Sequence, residues 1–283
     1  MRMYLLSGGR LSMPRIVYYP DARPEDWFDM PVSCALFRHT QGVALFDTGC
    51  HPDAADHGEG RWGRSAVRYS KPIFRPEDAV IGQLPQAGLT AGDIDVVICS
   101  HLHYDHCGCN AFFERATVIC QARELAAAGA DNAERQGFLR REWDVGLPIQ
   151  AIDGQLDVFG DGRLTLVTLP GHTPGSMGAH VVLDRSGTFL LASDAAPVAA
   201  SLANAPCRKT LGIAPYIWRR SMISRAMRMT AQPCSSGMTM HNGTASGGEH
   251  YTTTRNKLLL CRTDGIGSTP TSQNVCSTAA IGW

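Results

Sequence analysis

A short apolar strand followed at once by a dense group of metal-type ligands is the feature that most constrains this 283-residue chain. The segment "DIDVVICS" (93–100) has the pattern of a strand buried on both faces. The next six positions, "HLHYDH", contain His101, His103, Asp105 and His106. Without a metal, so many crowded imidazoles and carboxylates would repel on protonation and leave buried polar atoms unpaired. The pattern therefore predicts a metal site at the end of this strand.

The spacing of these ligands indicates how they are shared. His101 and His103 are two positions apart, so in an extended or looped backbone they point to the same side and can bind one cation. Asp105 and His106 continue past the turn and can face a neighbouring cation.

Further ligands are predicted at strand ends elsewhere in the chain. His172 lies in the Gly- and Pro-rich "LPGHTPGS" (169–176), placed to give the first cation a third nitrogen. Asp194 ends the apolar run "TFLLASD" (188–194) and is the candidate to bridge both cations. Strand-like and helix-like segments alternate along this part of the chain, which is typical of a layered α/β scaffold with its site on loops.

The remaining cysteines and histidines are not predicted to bind the metal. The ten cysteines show no repeated C-x-x-C spacing, and imidazole and carboxylate already satisfy a hard-to-borderline cation beside Cys107 and Cys109. A lone histidine is usually a surface or core residue with a satisfied hydrogen bond. That interpretation covers His39, His51, His57 and His180.

Composition narrows the class of partner. The chain has 26 basic and 26 acidic residues, so no basic surface is predicted for nucleic acid or an anionic membrane. No apolar run approaches the roughly 20 residues that span a bilayer. The amino-terminal "MRMYLLSGGRLSMPR" has an apolar run too short for a signal peptide and is predicted to form an edge strand and a turn. We expect a cytoplasmic protein acting on a small molecule.

Four segments carry a resemblance to a known family: "FDTG" (46–49), "SHLHYDHCGCN" (100–110), "LPGHTPGS" (169–176) and "LLASDAA" (190–196). In this order and at these separations they resemble the metallo-β-lactamase superfamily and, within it, the N-acyl-homoserine lactonases. "SGGRL" (7–11) and the insertion after "DTGCHPD" also look like the lactonase branch. The resemblance covers about residues 1–204, which we predict to form the hydrolase domain.

The resemblance implies an α/β protein: an αβ/βα sandwich of two mixed sheets with helices outside and a two-zinc site at one edge. It assigns the first Zn²⁺ to the three histidines His101, His103 and His172. It assigns the second Zn²⁺ to Asp105 and His106, and Asp194 to a bridge between the two ions. The implied activity is opening of the lactone ring of N-acyl-homoserine lactones by a metal-bound hydroxide, with Asp105 moving a proton to the leaving oxygen.

Asp47 has two interpretations, because it either orients a ligand histidine or caps the turn at Thr48 and Gly49. Two family features are not found in this chain. One is a late "G-H-D" motif with the last zinc histidine. The other is a substrate-positioning tyrosine shortly after the bridging aspartate, where Pro197 lies instead.

Two other functions stay open. The same site opens thioesters, β-lactams or phosphoesters in other members of the fold, so a glyoxalase II-like thioesterase is an alternative. A metal-binding remnant without activity is the second, because the ligand set is incomplete.

The resemblance in these motifs does not extend to the segment 205–283, which we expect to lie outside the hydrolase domain. Its Ser, Thr and Gly content is typical of a disordered extension, in which His241 or His250 would substitute as ligand. A shift of the reading frame by one base is a different hypothesis. In the shifted frame "SGMTMHNG" (236–243) permits Gly-His-Asp-Asp-Ala-Gln-Trp, "CRKTLG" (207–212) permits Pro-Lys-Asn-Thr-Trp, and "TTTR" (252–255) permits Tyr-Asp-stop. Resequencing the DNA would decide between them.

Overall fold

A computed structural model describes residues 1–198 and two short strands beyond them. The strands in this part of the chain are β1 (Arg2–Pro14), β2 (Trp27–His39), β3 (Gly42–Phe46), β4 (Lys71–Pro72), β5 (Val96–Ile98), β6 (Thr117–Gln121), β7 (Ile149–Ile152), β8 (Leu156–Asp157), β9 (Leu164–Thr168), β10 (Met177–Leu183), β11 (Gly187–Leu191), β12 (Leu260–Cys261) and β13 (Thr278–Ala279). The α-helices are α1 (Asp53–Trp62), α2 (Arg64–Tyr69), α3 (Val80–Gln83), α4 (Tyr104–Cys107), α5 (Ala122–Ala128) and α6 (Arg140–Trp143).

The first sheet is mixed, with the order β4-β1-β2-β3-β5-β6-β7. Strands β1, β2 and β3 pair antiparallel, and β3, β5, β6 and β7 pair parallel. Parallel neighbours need crossover connections, and the segments between these strands supply them. The carboxyl ends of β3, β5 and β6 therefore meet at one edge of the sheet.

The second sheet has the order β13-β12-β11-β10-β9-β8, and its pairs are antiparallel. The expected sandwich of two sheets is confirmed, but the second sheet is antiparallel rather than mixed. Short connections explain the difference, because β9, β10 and β11 follow one another too closely for parallel crossovers.

The core lies on both faces of the first sheet. Alternate residues of its strands, such as Phe37 and Phe46, pack against β9, β10 and β11 of the second sheet. The intervening residues, such as Leu36 and Leu45, pack against helical segments on the outer face, where Val80 is buried. The period of two along each strand thus builds a sandwich with helices outside.

The amino terminus matches its prediction in part. β1 is an edge strand over most of its length, because only Leu11 and Ser12 pair with the two-residue strand β4 on its outer side. The predicted turn at Ser7–Gly9 is a bulge, where the pairing with β2 shifts between Ser7 and Arg10. A Cβ on Gly8 would lie 2.7 Å from the Cα of Gly49. The bulge therefore lets β1 pack directly on the loop that follows β3.

The predictions for 205–283, including the domain boundary, His241, His250 and the shifted frame, lie outside the described residues apart from β12 and β13. These two strands extend the second sheet where the sequence has no sustained pattern. Among the described residues, none of the helices has the length and apolar character needed to cross a membrane.

Candidate metal centre

Three predicted histidines converge from two loops. His101 and His103 follow β5, and His172 follows β9 in the second sheet. One ring nitrogen of each lies within 4.8 Å of the others. His103 Nδ1 and His172 Nε2 are 3.1 Å apart. Three imidazole nitrogens at this spacing form a group that could hold one metal ion.

A second group shares one of these histidines. His101, His106 and Asp194 also place one ligand atom each within 4.8 Å of the others, and all three are buried. His106 Nε2 lies 3.5 Å from Asp194 Oδ1 and 3.6 Å from Asp105 Oδ2. Asp105 therefore lies beside this group rather than within it. His172 Nε2 is 3.6 Å from Asp194 Oδ2, so the carboxylate of Asp194 faces both groups.

The two groups differ in their electrostatics. Burial lowers the pKa of His103 well below its usual value, and the neighbouring His172 and His106 lower it further. Burial also lowers the pKa of His106, but three carboxylates outweigh it and raise that pKa to about 9; these are Asp105, Asp194 and Asp47. The negative field around His106 favours any cation, whether a proton or a metal ion.

Asp47 fixes the orientation of His106. Its Oδ2 lies 2.8 Å from His106 Nδ1, and the side chain is buried. The same carboxylate accepts hydrogen bonds from the Ser100 backbone N–H at 2.7 Å and from Ser100 Oγ at 2.8 Å. Of the two interpretations of Asp47, the geometry supports orientation of a histidine. This contact leaves Nε2 of His106 as the nitrogen that points into the centre.

Glu124 joins the two loops that carry the three histidines. It lies in α5, directly after β6, and its side chain is fully buried. Oε1 accepts the Leu102 backbone N–H at 2.9 Å. Oε2 accepts Thr173 Oγ1 at 2.7 Å and the Gly175 backbone N–H at 2.9 Å. Burial raises the pKa of Glu124, and these donors oppose that shift by stabilising the carboxylate.

Tyr18 is a third residue near the centre. It follows a short turn (Arg15–Val17) in the loop between β1 and β2, and its ring contacts Phe28 edge to face at 6.0 Å. Burial raises the pKa of its phenol well above the usual value, and the carboxylates of Asp194 and Asp105 raise it further. The hydroxyl therefore stays protonated and can donate a hydrogen bond.

Sequence reasoning missed Ser100, Glu124 and Tyr18. Ser100 had a signal, since it immediately precedes His101, and its Oγ lies 3.0 Å from His101 Nδ1 and 2.8 Å from Ser193 Oγ. Glu124 and Tyr18 had none, because neither lies in a ligand-bearing segment.

The residues set aside by sequence lie outside both groups. Cys107 Sγ donates to the backbone oxygen of His103 at 3.2 Å, and Cys109 Sγ donates to the Cys50 oxygen at 3.2 Å. Burial raises the pKa of both thiols, which keeps them neutral rather than ligating thiolates. His39 pairs with Asp161 at 2.9 Å. His51, His57 and His180 are likewise absent from the two groups.

The family model of the metallo-β-lactamase superfamily matches residues 27–267. The chain, with its two-sheet sandwich and its histidine groups at strand ends, belongs to this superfamily.

Its curated relatives indicate one branch of the superfamily. The chain is 34% identical over 203 residues to the N-acyl homoserine lactonase AttM of Azorhizobium caulinodans, covering 69% of this chain and 76% of that protein. It is 30% identical over 195 residues to an N-acyl homoserine lactonase of Bacillus cereus, covering 69% and 75%.

Solved structures agree on the fold. One is an N-acyl homoserine lactone hydrolase with the product N-hexanoyl-L-homoserine bound at its catalytic metal centre. It superposes with a TM-score of 0.67 at 24% identity, covering 81% of this chain and 86% of that one. A variant of AiiA from Bacillus thuringiensis with N-decanoyl-L-homoserine bound gives the same TM-score, identity and coverage.

Proposed function

We propose that this protein is a zinc-dependent hydrolase that opens the lactone ring of N-acyl-homoserine lactones and so degrades a quorum signal. The observation that carries the proposal is the pair of ligand groups sharing His101, in a chain 34% identical to a curated N-acyl homoserine lactonase. His101, His103 and His172 hold the first Zn²⁺. Asp105 and His106 hold the second, and Asp194 bridges the two ions.

The donor set fits zinc. Imidazole nitrogens and carboxylate oxygens are ordinary ligands of Zn²⁺, and neutral thiols beside them do not compete. The buried Nε2 of His106 accepts and donates no hydrogen bond among the described residues, although two carboxylate oxygens lie within 3.6 Å. A cation between these groups would satisfy the nitrogen and the carboxylates together.

When bound, the metal ions supply Lewis-acid polarisation of the lactone carbonyl and a water of lowered pKa. The chain's own residues position and move protons around that chemistry. Asp105 is the proposed catalytic residue, because its side chain is 14% exposed and can reach a substrate oxygen while facing His106. It would accept the proton that the attacking water releases and transfer it to the ring oxygen that leaves as the lactone opens.

The balanced charge of the chain supports a small-molecule substrate rather than nucleic acid or a membrane surface. We place the reaction in the cytoplasm.

The test compares two substrates on the purified chain. Turnover of N-hexanoyl-L-homoserine lactone, lost on treatment with a chelator and restored by Zn²⁺, is the expected result. Preferential turnover of a lactoylglutathione thioester would instead identify a thioesterase. One tightly bound zinc per chain with neither activity would identify a metal-binding remnant.

A further inference from the structure

We propose that Glu124 is the positioning residue of the first metal site: it holds the loop of His172 against the loop of His101 and His103. The inference rests on the proposed function, since it concerns that metal site. Glu124 binds no metal in this proposal and contacts no substrate.

The three hydrogen bonds of Glu124 reach both loops at points adjacent to the histidines. Leu102, whose N–H donates to Oε1, lies between His101 and His103 in the chain. Thr173, whose hydroxyl donates to Oε2, directly follows His172. Each residue that donates to Glu124 lies within three positions of a histidine. One buried carboxylate therefore sets the separation of the two loops.

The loop of His172 packs tightly against the backbone at Glu124. A Cβ on Gly175 would lie 2.3 Å from the Glu124 backbone nitrogen, so the loop of His172 rests directly on the first turn of α5. Thr173 is held a second time, because its N–H donates to Ser176 Oγ at 2.9 Å. The loop is thus clamped where it meets Glu124.

The residue has no other evident task. An apolar side chain in place of Glu124 would leave two backbone N–H groups and a hydroxyl buried without acceptors. The same contacts do not extend to His106, whose orientation depends on Asp47. Loss of Glu124 should therefore loosen the three-histidine group and leave the orientation of His106 unchanged.

A matched control exists in Glu142, the other fully buried glutamate among the described residues. Its Oε1 and Oε2 accept Arg61 Nε at 2.8 Å and Nη2 at 2.9 Å, and these hydrogen bonds reach neither histidine loop. Burial raises the pKa of both glutamates. A purely structural role would make the two positions respond alike.

The experiment measures Zn²⁺ affinity of the full chain by competition with a chromophoric chelator, for wild type, Glu124→Gln and Glu142→Gln. We expect Glu124→Gln to weaken one of the two zinc steps by about 10- to 100-fold, the range for loss of an outer-shell partner. We expect Glu142→Gln to lower thermal stability but leave both steps unchanged. The absorption spectrum of the Co²⁺-substituted chain should change only in Glu124→Gln.

A milder variant guards against misfolding. Thr173→Val removes one donor to Glu124 and keeps the volume of the side chain, so it should weaken the same zinc step to a smaller extent. Equal zinc affinity in wild type, Glu124→Gln and Thr173→Val would overturn the inference while the metal site stands. A wild-type chain that binds no Zn²⁺ would overturn the proposed function, and this inference with it.

Discussion

The two halves of the candidate metal centre share His101 but are built in opposite ways. The first half, completed by His103 and His172, is a set of imidazoles whose loops come from both sheets. The second half, around His106, is surrounded by carboxylates that raise the pKa of that histidine to about 9. Cation binding by the first half depends on geometry, since three neutral ligands must be brought together. Cation binding by the second half depends on the negative charge of the surrounding carboxylates.

Each half is also held by a different buried carboxylate. Glu124 contacts the loops of the first half, and Asp47 contacts His106 and Ser100 in the second. We therefore expect that the two halves, whose ligand atoms lie within 4.8 Å of one another in each group, can be perturbed separately.

The largest effect is expected from His103→Ala, which removes one imidazole from the first half. Three neutral ligands become two, so zinc at this site and lactone hydrolysis should both fall to background. Metal analysis and turnover assays check this, with the exposed His57→Ala as the control that keeps both. A His103→Ala chain that retained zinc and rate would show that the ligand assignment is wrong.

Asp194→Asn removes the carboxylate that faces both halves, 3.5 Å from His106 Nε2 and 3.6 Å from His172 Nε2. The chain should stay folded, because asparagine has the same shape, while zinc content and activity fall together. We expect a loss in turnover greater than the roughly 100-fold seen for outer partners of a metal site. Asp184→Asn, at an exposed ion pair, is the control. Full activity in Asp194→Asn would remove this residue from the centre.

Asp47→Asn should separate the halves. The carboxylate of Asp47 accepts from the Ser100 N–H with one oxygen and contacts His106 with the other. Asparagine has a single acceptor oxygen and no negative charge, so His106 loses its orienting partner. Zinc affinity of the second half should fall by about 10- to 100-fold with the first half unchanged. A two-step chelator titration resolves the two sites. Equal weakening of both steps would contradict the division between Asp47 and Glu124.

The smallest effect is expected from Tyr18→Phe, which removes a neutral donor beside the acidic half. If this hydroxyl donates to a substrate oxygen that gains charge, kcat should fall by about tenfold with zinc content unchanged. Tyr19→Phe is a close control, because Tyr19 contacts the same Phe28 ring at 5.9 Å. Indistinguishable kcat values for the two variants would exclude Tyr18 from substrate contact.

Much of the centre was predictable because ligand chemistry leaves a local signal. His101, His103 and His106 follow a short buried strand within six positions, so their convergence needs only one loop. His172 and Asp194 follow other strands, and a sandwich brings strand ends to a common edge. The structure places five of these predicted ligands in two groups and Asp105 beside them.

The sequence by itself determined the α/β class, the strand that delivers the ligands and the identity of the ligand-bearing loops. Residue type and spacing carry this information, because imidazoles and carboxylates must be adjacent to bind one cation. Only the tertiary structure decided what holds the loops. Glu124 accepts from Thr173, 49 positions away, and Asp47 contacts His106, 59 positions away. Such contacts arise where separate strands end at one edge of a sandwich, and no local pattern in the chain records which buried carboxylate will lie there.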